Sequence, residues 1–194
     1  MLRSHKCLFL VAILGTLISG CTTPKSFLDP GYPKVTYDDV KKRTDPLRLK
    51  LMTEFRRNGK HLPQVDVTLQ DHVERLLRAS GVIIPAPDGP DGEINIVLND
   101  TIDPATALTT GQGTALALGL AEPVATDKYN MDVTLTRDGK TRGQYSARHA
   151  VHSISDKAVL PAGLEGLPPL TAFSRALDQM LLYALQQMQK NGEL

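Results

Sequence analysis

Cysteine is the scarcest useful residue in this 194-residue chain. There are two, Cys7 and Cys21, both near the start, so everything after Cys21 must fold without a disulfide. No free thiol remains there to attack a substrate or ligate metal. Charge of one sign is also missing: 22 basic residues face 21 acidic ones, with no basic cluster. That balance gives no electrostatic case for binding nucleic acid. The longest apolar run, Cys7 to Ile18, falls short of the ~20 residues needed to cross a bilayer. Catalytic signatures are sparse as well. Gly111-Gln112-Gly113 begins like a dinucleotide loop but lacks the third glycine in phase, and it lacks the lysine of a phosphate loop. No serine sits between glycines as in a nucleophile elbow.

What is present starts at the beginning of the chain. Arg3 and Lys6 precede the apolar run, and Ile18-Ser19-Gly20-Cys21 follows it. The pattern resembles the signal and lipobox of bacterial lipoproteins. The resemblance implies cleavage between Gly20 and Cys21 and a diacylglycerol on the Cys21 thiol. That covalent lipid would be the chain's one prosthetic group; no metal or other cofactor is expected. Removing residues 1–20 leaves 20 basic against 21 acidic residues, a net charge of about −1. Thr22, where an aspartate would favour retention at the inner membrane in that family, points to the outer membrane, with the domain in the periplasm. Each buried methylene contributes ~0.8 kcal/mol, so two or three acyl chains make attachment effectively permanent. Residues 21–34 carry Pro24, Pro30, Gly31 and Pro33 among polar residues and read as the lipidated cysteine and a flexible tether.

Residues 35–194 read as a single α/β domain. Leu47, Leu49, Leu51 and Phe55 alternate with Arg48, Lys50, Glu54 and Arg56, a strand ended by Asn58-Gly59. From Val67 to Ser80, Leu69, Val73, Leu76 and Leu77 make a helical stripe, with Asp66 as the expected N-cap and Gly81 as the stop. Val82 to Ile84 is extended, Pro85 to Gly92 is a loop, and Glu93 to Asn99 is a strand. Tyr129 to Leu135 and Thr141 to Ser153 form a hairpin about Asp138-Gly139. A Pro/Gly-rich connector then leads to a helix over Leu170 to Lys190, with Phe173, Leu177, Met180, Leu181, Ala184 and Met188 on one face. The pattern predicts a two-layer sandwich: a mixed or mainly antiparallel sheet of about four to five strands, two helices on one face, and the other face wet.

Titratable residues give little. His149 and His152, three apart on a strand, point to opposite faces and make no chelate; one buried and one surface histidine is expected. His61 and His72 are isolated, and His72 lies off its helix's apolar stripe, facing solvent. Asp38-Asp39, Asp88 and Asp91 read as turn chemistry. Tyr145 falls on the same strand face as His149, the one pair on which a small-ligand or catalytic site would be built.

Pro104 to Ala121 carries no charge, is rich in glycine and alanine, and interrupts the alternation of the flanking strands. Insertions of this length are often functional. Gly111, Gly113, Leu116, Leu118, Gly119 and Leu120 are its candidate contact residues, against a second copy or a membrane. An acylated cysteine, an α/β domain, a Gly/Ala-rich insertion and a late amphipathic helix, in that order, resemble TraT-type and curli-secretion-type outer-membrane lipoproteins, which assemble as rings. The shorter, less apolar insertion departs from that pattern. The expectation is a non-enzymatic, lipid-anchored envelope protein that binds an unidentified envelope partner or itself.

Overall fold

The computed structural model describes residues 25–102, 124–155, 159–160 and 162–194. Seven strands and two helices follow in order: β1 (Lys25–Leu28), β2 (Leu47–Arg57), β3 (Lys60–His61), α1 (Pro63–Ser80), β4 (Ile83–Pro85), β5 (Glu93–Thr101), β6 (Ala125–Arg137), β7 (Lys140–Ile154) and α2 (Pro169–Lys190). The sheet order is β1-β7-β6-β5-β2-β3, with β4 beside β2. Pairings of β2 with β4 and β5 are parallel and the rest antiparallel, so the sheet is mixed. Parallel pairing of β2 with β5 requires a long return, which α1 supplies. The α/β class is as expected. The strand number is higher because β1, β3 and β4 have only two to four residues each, too short to show a period.

Two glycine turns set the hairpins. Asn58 and Gly59 both have positive φ, as do Asp138 and Gly139, the geometry a two-residue hairpin demands. Asn58 also fastens the turn to the end of β5: its N–H donates to the Asp100 carbonyl at 2.8 Å, and its Oδ1 accepts the Ile102 N–H at 2.9 Å.

One core joins both helices to the same sheet face. Leu47, Leu49 and Phe55 of β2, the Ile94-Ile96-Leu98 row of β5, and Met131, Val133 and Leu135 of β6 meet Leu69, Val73, Leu76 and Leu77 of α1 and Leu177, Met180, Leu181 and Leu185 of α2. Each such fully buried side chain contributes about 1.5–3 kcal/mol relative to exposure. The helices touch through a polar bridge: His72 Nε2 meets Asp178 Oδ1 at 2.7 Å. His72 is therefore not the solvent-facing residue its position off the stripe suggested. That position faces α2, and a neighbouring helix is invisible to a one-helix pattern.

Three further expectations change. Helix α1 begins at Pro63, which needs no N–H partner at the first position, rather than after Asp66. Asp66 serves the sheet instead, accepting the Phe55 N–H at 2.8 Å and meeting His61 Nε2 at 2.7 Å. Lys25–Leu28, inside the stretch read as tether, is a strand on the outer side of β7, running from Lys25 beside Ile154 to Leu28 beside Val151. Finally, the second sheet face is not wet throughout. Phe27, Val124 and Ile154 form a small buried cluster there under Leu160 and Leu164.

The sheet has two unlike ends. At one, the front, β2 and β5 finish, β6 starts, β7 finishes and both helices begin. Ser26, Ser153 and Ala125 share a row at this end, and Leu167, just before α2, bridges to Ser26. Both flanks of the uncharged stretch, Ile102 and Val124, and the first described residue, Lys25, therefore leave from the front. The rear carries the Asp138-Gly139 turn, Gly81 and the Gly89–Gly92 turn.

Candidate functional site

The front end holds a cavity of about 370 Å³ between the starts of the two helices. Its floor is polar although the core-facing row there is otherwise apolar. Arg57 ends β2, Asp100 lies opposite it on β5, and Tyr129 lies opposite Asp100 on β6. Asp127 follows on the same face, two residues from Tyr129. Alternation along β6 puts both on the core side just where the helices no longer cover it.

Arg57 donates from Nε to Asp100 Oδ2 at 3.0 Å, and its terminal nitrogen meets the same oxygen at 3.0 Å. Asp100 is only 2% exposed, and its Oδ1 is buried with no hydrogen-bond partner among the described residues. Burial pushes the Asp100 carboxyl above its usual range, with the Asp127 charge adding to the rise and Arg57 opposing it. Asp127 is likewise pushed up by burial, against the pull of Arg57. Burial and then the two carboxylates hold the Tyr129 phenol well above its ordinary range, so it stays protonated. Two acids and one guanidinium thus share a partly dry site, and one carboxylate oxygen lacks a donor.

The helix starts complete the rim. With Pro63 and Pro169 at the first positions, Gln64 and Leu170 carry the first helical N–H groups, and both residues line the cavity. Phe55, Leu62, Val65 and Phe173 give it apolar walls. Sequence reading missed this site. Arg57 and Asp100 fall just past the residues that alternation marks as strand, and only the parallel pairing of β2 with β5 brings them together.

His149 sits elsewhere. Its Nε2 meets Gln179 Oε1 at 3.0 Å, and its Nδ1 lies 2.9 Å from the Ala150 N–H and 3.0 Å from the Ala150 carbonyl oxygen. Its ring stacks on Tyr32 with centroids 5.1 Å apart. It borders a shallow cavity of about 340 Å³. Tyr145 is not part of a site with it: the phenol bonds Asn191 at the other end of α2. His152 is buried too, so neither of the pair is the surface histidine expected. Because the second face is covered at the front, His152 contacts Phe27, takes Thr126 Oγ1 at 2.9 Å on Nδ1, and has Asp29 Oδ2 3.2 Å from Nε2. Burial lowers its proton affinity, with Asp29 opposing. The two rings do lie on opposite faces, and among the described residues no group of three or more metal-ligating side chains forms.

Gly20, Cys21, Gly111, Gly113, Leu116, Leu118, Gly119 and Leu120 lie outside the described residues. No helix among the described residues is long and apolar enough to cross a membrane. No protein family and no curated protein matches the chain. Among solved structures it is similar to protein XCC0632 of Xanthomonas campestris, of the DUF330 family, at 13% identity and a TM-score of 0.32, over 86% of this chain and 94% of that one. It is also similar to a Helicobacter pylori protein described as a neuraminyllactose-binding hemagglutinin homolog, at 8% identity and a TM-score of 0.30, over 79% and 89%. Likeness at this level carries no inference about shared chemistry.

Proposed function

We propose that the chain is a non-enzymatic lipoprotein of the bacterial outer membrane, held by acyl chains on Cys21 with its α/β domain in the periplasm and its front end toward the bilayer. The observation that carries this reading is the convergence at one end of the sheet. Lys25 is four residues from Cys21, and it starts β1 at the end from which both flanks of the uncharged stretch also leave. Four extended residues span about 14 Å, so the anchor would hold the domain close to the membrane rather than on a long leash. Its partner is another envelope component that meets it there.

The test is metabolic labelling with palmitate. The wild type takes up label and Cys21→Ser does not; equal labelling of both ends the anchor reading.

Self-assembly is the second reading, favoured by the uncharged stretch Pro104 to Ala121, whose nearest described residues on either side, Ile102 and Val124, lie at that same end. A charge at Leu118 then lowers oligomer size in detergent without unfolding the domain. An unchanged monomer in both forms removes it.

A further inference from the structure

The front cavity contains an arrangement that asks for a ligand. Asp100 is more than nine-tenths buried, lines the cavity, and leaves Oδ1 without a donor. Carboxylates so placed are costly to bury unless a cation or strong donor completes them. Arg57 completes only Oδ2. Asp127, half-buried beside it, has no ion pair among the described residues, whose share of the floor is two acids against one base.

The rim is of the other kind. Gln64 and Leu170, at the second positions of α1 and α2, bear free N–H groups at the positive ends of the helices, where an anion is favoured. The most exposed large apolar side chains among the described residues lie at the same end of the fold. Val67 in the first turns of α1 is 67% exposed and Leu170 is 81% exposed. Val159, in the connector that leaves the same end, is 86% exposed. No other large apolar residue among those described exceeds 40%.

The cavity thus joins two acids and one base on its floor to two helix starts on its rim, with bare apolar side chains at the same end of the fold. A ligand that matches has an ammonium at one tip, an anionic group a few ångströms behind it, and hydrocarbon beyond. We infer that the front cavity binds the headgroup of an aminophospholipid, its primary ammonium on Asp100 and Asp127 and its phosphate at Arg57 and the helix starts, with Val67 and Leu170 against the acyl region. This deepens the envelope reading and rests on it for the source of the lipid, because that reading turns this end toward a bilayer.

Native mass spectrometry of the detergent-released full lipoprotein tests it, offering phosphatidylethanolamine and phosphatidylcholine of equal chain length. The quaternary head has the same charge but no N–H to donate. Phosphatidylethanolamine should be retained about tenfold better, the worth of one or two charge-assisted hydrogen bonds. Asp127→Asn, checked for folding by its melting transition, should abolish the preference. Asp100→Asn should do the same, but the Asp127 variant carries the test if the loss of the Arg57 pair unfolds the other. Equal retention of the two lipids in the wild type overturns the inference, as does a preference kept in Asp127→Asn. Water-soluble phosphoethanolamine binding as tightly as the lipid overturns the lipid source. A lysine-bearing peptide that binds better than the lipid overturns it in favour of a protein partner. Palmitate labelling separates the two claims: a labelled protein without the preference sinks this inference alone, and an unlabelled one that keeps it sinks the anchor alone.

Discussion

The hydroxyls of Ser26 and Ser153 meet at 2.8 Å, tying the first described strand to the last. The bond sits in the row where β1, β7 and β6 come together, and Phe27 beside it is buried on the second face. Residues 25–28 are therefore part of the folded domain and not a leash ahead of it.

Phe27→Ala measures that directly. Phe27 is 1% exposed, so truncation leaves a cavity and should cost about 3–5 kcal/mol in urea unfolding. A flexible tether would give no change.

Asp127 gives a prediction in pH. Burial raises its folded-state pKa, so the neutral form is favoured in the fold. Its contribution is favourable below the unfolded carboxylate range and is lost as pH rises through the raised value. Asp127→Asn should therefore raise the melting temperature at pH 7.5. The gain should shrink as the pH falls through the Asp127 titration. A constant difference at both ends of the range would assign the effect to packing.

The bridge between the helices is testable by a double-mutant cycle. His72→Ala and Asp178→Ala should each destabilise, with a coupling of about 0.5–1.5 kcal/mol. Zero coupling would mean that the helices are aligned by their apolar contacts alone.

Orientation at the membrane has its own measurement. Strand β6 has 13 residues, which separates the front from the Asp138-Gly139 turn by about 40 Å. If the proposed anchor holds the chain in vesicles, a fluorophore on Leu170→Cys should be quenched by nitroxide-labelled lipid, and one on Lys140→Cys should not. The reverse pattern would put the rear toward the bilayer.

The long elements were legible because their burial has one period. Leu47 to Phe55, the Ile94-Ile96-Leu98 row and the stripes of both helices lie where alternation or a 3.6-residue repeat puts them. Gly81 closes α1 in the left-handed conformation, as its position suggested. What was not legible depends on partners far away in the chain. The strand at Lys25 is recognisable only beside Ile154, the burial of His152 only under the Phe27 cluster, and the front cavity only once Arg57 and Asp100 become neighbours, 43 residues apart. Asp66 shows the converse: a residue type suited to capping was taken up by the Phe55 amide instead.

The outer margin of β7 carries one more consequence. β1 covers it only from Val151 to Ile154, and no described strand borders it between Lys140 and Arg148. An identical chain docking there antiparallel about Tyr145 would set Arg142 against the other chain's Arg148, repeated by symmetry. Like charges at that spacing resist pairing of two copies along this margin, while an acidic strand from a different protein meets no such barrier.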